Sequence, residues 1–149
     1  MVEVLVVLSI ITVSILAAMI VTQKSVSVSR ASFQATQAAF ILEEGAEALR
    51  ILRDNAWTNI SSLNVGTNYY LKFTSGTWTT SSTSADGIVD IFTRSISIAN
   101  VNRDNSTKDI SGAGTNDPDT KLVTITVSWP EGGTITTKTL QFYIINIFS

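Results

Sequence analysis

"MVEVLVVLSIITVSILAAMIV", residues 1–21, decides how this chain is built. Glu3 is its one ionisable side chain, and no charge appears again until Lys24. As a helix at ~1.5 Å per residue, the uncharged run from Val4 to Gln23 covers about 30 Å, the thickness of a bilayer core. It is apolar all round, unlike a helix with one wet face. A cleaved secretory signal needs a basic segment ahead of a shorter apolar run, whereas the residue in front here is acidic. Residues 1–23 are therefore read as a transmembrane or similarly dry helix. A carboxylate at its head costs on the order of a few kcal/mol in lipid, so Glu3 is expected to be paired there or held at headgroup level.

Working outward, the helical pattern continues through residues 24–54. Val28, Ala31, Ala35, Ala38, Leu42, Ala46, Leu49 and Leu52 recur at steps of three and four, which predicts an amphipathic continuation. In "EEGAEALRILRD" the acids Glu43, Glu44 and Glu47 precede Arg50 and Arg53, an order that suits helical pairing and the dipole of a helix C-terminus. With no proline before Pro118, residues 1–54 read as one uninterrupted helix of roughly 80 Å.

From Asn55 the character changes. "NAWTNISSLNVGTNYY" reads as a linking loop with Trp57 and Leu63 pinned to a core. Strand signals follow: Tyr69, Leu71 and Phe73 alternate in "YYLKF", and Phe92, Ile96 and Ile98 in "IVDIFTRSISI". The clearest pair is "KLVTITVSW", with Val123, Ile125, Val127 and Trp129 on one face, and "TITTKTLQFYI", with Leu140, Phe142 and Ile144 on one face. "PEGG" turns the chain between them, which makes a hairpin. The expected fold is α+β: a long N-terminal helix, its apolar half protruding, packed by its second half against an antiparallel sheet of about four strands. Residues 55–149 form the linking loop and sheet domain.

Composition narrows the chemistry. The 149 residues carry a net charge of −2, and the ten Lys and Arg are scattered, so no footprint for a phosphate backbone is present and nucleic-acid binding is not expected. The chain has no Cys and no His, which removes disulfides, thiolate sites and the commonest general base. Nucleophile motifs and phosphate-cradling glycine loops are missing too, so neither catalysis nor a cofactor is expected. The 74–87 stretch, "TSGTWTTSSTSADG", reads as a solvated hairpin loop around Trp78, the other readings being a glycosylated segment or an aromatic binding tip. The 102–121 stretch holds Asp109, Asp117 and Asp119, weak calcium candidates without the ordered spacing of a D-x-D-x-D-G loop. Asn59 and Asn105 open N-x-S/T sequences.

"MVEVLVVLSIITVSILAAMI" resembles the segment just after the cleavage site of type IV prepilins and pseudopilins. Glu3 matches the glutamate of that family. The resemblance implies that a basic leader ending in Gly precedes the mature chain, which would start two residues before Met1, commonly with a methylated Phe. Such a leader would also reconcile orientation, since by charge alone Lys24 and Arg30 would keep the following domain in the cytoplasm. The resemblance implies a structural subunit of a type IV pilus: single-pass in the cytoplasmic membrane first, then polymerised into a helical surface filament of identical subunits. Its partners would be prepilin peptidase, the pilus assembly machinery and further copies of itself. In that assembly Glu3 neutralises an N-terminal amine and sets register, while Val4, Leu5, Val7, Leu8, Ile11, Ile15, Ala18 and Met19 pack the filament core. A minor pilin or pseudopilin of a secretion or competence system is the alternative within the family, and a membrane-anchored enzyme or binding module the alternative outside it. Two departures stand out: many bacterial pilins carry a proline in the apolar run, and many Gram-negative ones close a C-terminal loop with a Cys pair. This chain has neither.

Overall fold

The computed structural model describes residues 1–148. It is an α+β chain, a long N-terminal helix followed by antiparallel strands. Helix α1 runs without a break over Val2–Asn55. Before Gly45 it contains neither glycine nor proline, the residues that most often kink a helix. Past its end the Asn59 side-chain amide donates at 2.9 Å to the Leu52 carbonyl, which also accepts the Ala56 backbone N–H at 3.2 Å. Asn59 lies in α2, the short helix Thr58–Ser61. Ile60 is fully buried there, while the expected anchors Trp57 and Leu63 are half-buried.

The chain divides into two compact units, Met1–Gln37 and Ala38–Ser149. In the second, α1 buries Ala38, Ile41, Leu42, Gly45, Ala46, Ala48, Leu49 and Leu52, a stripe stepping by three and four. Burial thus starts ten residues later than the sequence pattern does: Val28 is exposed, and Ala31 and Ala35 are half-exposed. A stripe is buried only where a second layer faces it, and the sheet belongs to the Ala38–Ser149 unit.

That unit contains a two-stranded ribbon, β1 (Tyr70–Thr74) with β2 (Thr77–Ser81), and a five-stranded sheet. The sheet is ordered β3 (Ile88–Val89), β4 (Phe92–Arg103), β6 (Thr115–Glu131) and β7 (Thr134–Ile145), with β5 (Ile110–Ser111) paired to the far end of β4. β2 corrects the reading of residues 74–87 as a solvated loop. Ser75 and Gly76, both at positive φ, make a tight two-residue turn, and Trp78 pairs directly with Phe73, their rings 5.0 Å apart. The Ser/Thr content that suggested a loop includes β-branched threonines, which suit an extended strand equally well. Of the alternating set in β1 only Leu71 is buried; Phe73 stays 58% exposed.

Rows of paired residues build the core: Ile96, Ile125 and Leu140 across three strands, then Ile98, Val123 and Phe142. Val123, Ile125, Val127 and Trp129 are all buried, as expected, whereas on β7 Ile144 is buried and Leu140 and Phe142 only half-buried. The reason is position, because β7 is the edge of the sheet. The opposite face carries Ser97, Thr124 and Gln141 in one row, Ser95, Thr126 and Thr139 in the next, and Thr93, Ser128 and Thr137 in the third. The hairpin turn is Gly132–Gly133, both at positive φ, and Pro130 belongs to the strand rather than to the turn. In a two-residue hairpin Pro130 and Ile135 form a pair that exchanges no hydrogen bonds, so the missing N–H would point toward β4, whose pairing stops at Ser128.

Two irregularities shape this sheet. Between Asn100 and Val101 the β4–β6 register jumps from Lys121 to Asp117, leaving Pro118, Asp119 and Thr120 as extra residues in a bulge, where a proline is tolerated. The second is Arg94, 2% exposed in the inward row between Phe92 and Ile96. Its guanidinium donates to the Ile41 carbonyl at 3.3 Å, pairs with Glu44 at 3.4 Å and stacks 5.4 Å from the Trp78 ring, while Nε has no partner. Gly45 makes room for it, since a Cβ there would lie 3.1 Å from the Arg94 Cδ.

Candidate assembly segment

The expected assembly residues all lie in the Met1–Gln37 unit, on α1. Glu3 sits in the first turn, where unsatisfied backbone N–H groups and the helix dipole favour a negative charge. Its carboxylate forms no hydrogen bond or ion pair with the other described residues. Val4, Leu5, Val7, Leu8, Ile11, Ile15 and Met19 are exposed to between 49% (Ile11) and 67% (Leu5) of their surface, and Ala18 is exposed as well. Among the described residues this is the one helix long and apolar enough to cross a membrane, and none of its most apolar window is buried by the rest of the chain.

The apolar run contains four hydroxyls, and each finds an acceptor within the helix. Ser9 donates to the Val6 carbonyl at 2.7 Å, Thr12 to Leu8 at 2.7 Å, Ser14 to Ile10 at 2.8 Å and Thr22 to Ala18 at 2.9 Å. None of these side chains therefore needs water, the condition for residence in hydrocarbon or in a dry bundle. Hydropathy alone does not reveal this; the signal was an acceptor carbonyl three or four residues upstream of each hydroxyl. Sequence reading also passed over Phe33 and Phe40, seven residues apart and 63% and 64% exposed. They continue a heptad-spaced series from Met19 and Val26.

The calcium candidates are not brought together. Among the described residues no group of three or more acidic side chains converges as a metal site. Asp117 is occupied instead: one oxygen accepts from Arg103 Nε at 2.6 Å and from the Thr120 hydroxyl at 2.7 Å, the other from the Asp119 backbone N–H at 2.9 Å. The Thr120 bond first, then Arg103, holds the Asp117 carboxyl below the ordinary range. Asp119 accepts from the Asn146 amide at 2.9 Å, and Asp109 is exposed. Asp104 caps its own loop through Ser106 and Thr107 N–H groups, which lower its pKa. Of the two N-x-S/T asparagines, Asn59 uses its amide nitrogen on Leu52, while Asn105 is exposed and accepts from Thr115 at 2.7 Å.

Comparison of the chain with protein-family models, curated proteins and solved structures finds no match. The architecture itself is pilin-like: an apolar N-terminal helix whose later part packs on an antiparallel sheet.

Proposed function

We propose that this chain is a structural subunit of a type IV pilin-like filament, held in the membrane by the start of α1 before it assembles. The observation that carries this reading is the exposed apolar run with a lone acid at its head, on the same helix whose later part forms the core of a folded domain. Lipid and a dry helix bundle are equivalent surroundings for such a surface, so transfer from one to the other needs no refolding. Glu3 supplies register. Alone in a dry bundle its charge is costly; facing an N-terminal ammonium of a neighbouring subunit it gains a charge-assisted bond, and a slip by one turn strands both charges. Contacts that repeat head to tail along an axis generate an open helix rather than a closed ring.

The test is electron microscopy of filaments sheared from producing cells, with mass spectrometry of their subunits. A fibre built mainly from this chain is expected, and Glu3→Ala is expected to leave the protein in the membrane fraction while abolishing fibre. Normal fibre yield from that variant would remove the role given to Glu3. Membrane protein without any fibre would overturn the surface-filament reading in favour of a minor or pseudopilin subunit.

A further inference from the structure

Two N-x-S/T sequences remain that nothing above uses, Asn59-Ile60-Ser61 and Asn105-Ser106-Thr107. The tripeptide is the acceptor pattern for N-linked glycosylation, and it arises by chance often enough that the fold around each copy has to decide which can be used. We propose that Asn105 is a site of N-glycosylation and that Asn59 is not. The donor is a glycan carried on a polyprenyl phosphate or diphosphate. The proposal rests on the sheet domain lying outside the cytoplasm, as the filament reading requires.

Placement is the first argument. β4 ends at Arg103 and β5 begins at Ile110, so residues 104–109 form the tip of a hairpin, and every residue from Asn105 to Asp109 is exposed. The tip is closed by its own backbone: the Asp104 N–H donates to the Asp109 carbonyl at 2.9 Å, and the Lys108 N–H to the Asp104 carbonyl at 3.0 Å. The Asp104 carboxylate accepts the N–H groups of Ser106 and Thr107. These bonds are made at the surface, so a transferase can engage the three residues without opening the core. Asn59 differs on each point. It is half-buried in α2, its Nδ2 donates to the Leu52 carbonyl at 2.9 Å, and the middle residue of its tripeptide, Ile60, is fully buried. Presenting Asn59 to an enzyme would draw Ile60 out of the core.

The reacting atoms are the second argument. Thr115 donates its hydroxyl to the Asn105 Oδ1 at 2.7 Å, which orients the amide and leaves Nδ2 without a partner among the described residues. Thr107, the hydroxyl residue of the pattern, is exposed, and its oxygen accepts from the Asp109 N–H at 3.3 Å, so its own O–H remains to donate. In the transfer, Asn105 Nδ2 forms a bond to C1 of the first sugar and gives one proton to a base on the transferase. The bond from C1 to the lipid phosphate oxygen breaks, and its electron pair leaves with the phosphate. Oδ1 is untouched, so the bond from Thr115 survives the modification.

The test is mass spectrometry of the full chain purified from the membrane and surface fractions of producing cells. Trypsin separates the two tripeptides, residues 54–72 from residues 104–108, and electron-transfer fragmentation assigns any added mass to one side chain. A glycan on Asn105 and none on Asn59 is expected. Thr107→Ala is expected to abolish the modification and Thr107→Ser to retain it, with unchanged circular dichroism establishing that both variants are folded. Protease added to spheroplasts reports on which side of the membrane the sheet domain lies. An exported domain with a bare Asn105, a glycan on Asn59, sugar on Ser106 or Thr107 in place of Asn105, or undiminished modification of folded Thr107→Ala would overturn the assignment and leave the filament reading standing. A domain shielded from the protease would overturn both.

Discussion

Arg94 puts a guanidinium in a row that otherwise holds Phe92, Ile96 and Ile98. Burial pushes its pKa down and Glu44 pulls the other way; it remains a cation under any condition in which the chain folds. Replacing a buried charge by an apolar side chain of similar length is often neutral, because the lost pairing is offset by the desolvation no longer paid. Arg94→Met is therefore expected to change unfolding free energy by less than about 1 kcal/mol in urea titrations, while Arg94→Ala, which leaves a void beside Gly45, costs about 2–4 kcal/mol. Gly87 is constrained by space alone. A Cβ there would lie 2.3 Å from the Arg94 carbonyl oxygen, so Gly87→Ala should destabilise by more than about 2 kcal/mol in the same assay. Asp117 sets a pH dependence. Its folded pKa lies below the unfolded value, so its contribution is complete above about pH 4 and is lost as pH falls through the folded value. Asp117→Asn should therefore flatten the acid limb of a stability–pH curve and leave its neutral region parallel to the parent's.

Elements differ in how plainly their sequence announces them. Helix α1 and the β6–β7 hairpin were legible because each repeats one period over many residues: Val123, Ile125, Val127 and Trp129 can share a face only in a strand. β2 was not, because five residues of Thr, Ser and Trp carry no alternation between apolar and polar. The bulge was invisible for another reason: Pro118 marks an interruption, but only the partner strand shows that three residues are extra. In the candidate segment, the exposed apolar residues followed from composition, whereas the hydroxyl back-bonds and the solvent-facing Phe33 and Phe40 required knowing which side of the helix has nothing against it. Edge strand β7 shows a further device. Lys138 occupies an inward-facing register position, paired with Val127, on β7, which among the described residues is an edge strand of the sheet. An inward charge on an edge discourages a second sheet from docking there. Lys138→Val is accordingly expected to raise concentration-dependent self-association, measured by sedimentation velocity in micelles, with the secondary structure unchanged.

At the scale of the whole molecule, the Ala38–Ser149 unit has its own core from α1 and the sheet, and the buried residues of the chain all fall within it. A chain lacking residues 1–23 should therefore remain in the aqueous phase on Triton X-114 partition and keep the near-ultraviolet dichroism of its buried Trp129, whereas the full chain should enter the detergent phase. The end of β7 is secured without a covalent link. The Asn146 backbone N–H donates to the Asp119 backbone carbonyl at 2.8 Å, its side-chain NH₂ donates to the Asp119 carboxylate, and its side-chain Oδ1 accepts from the Phe148 N–H at 3.0 Å. A terminus clasped by hydrogen bonds closes as fast as the last strand docks, with no oxidant to wait for and no mispaired isomer to reshuffle. The domain consequently reaches its native state at the same rate in a reducing and in an oxidising medium, and its maturation on either side of a membrane is independent of thiol poise.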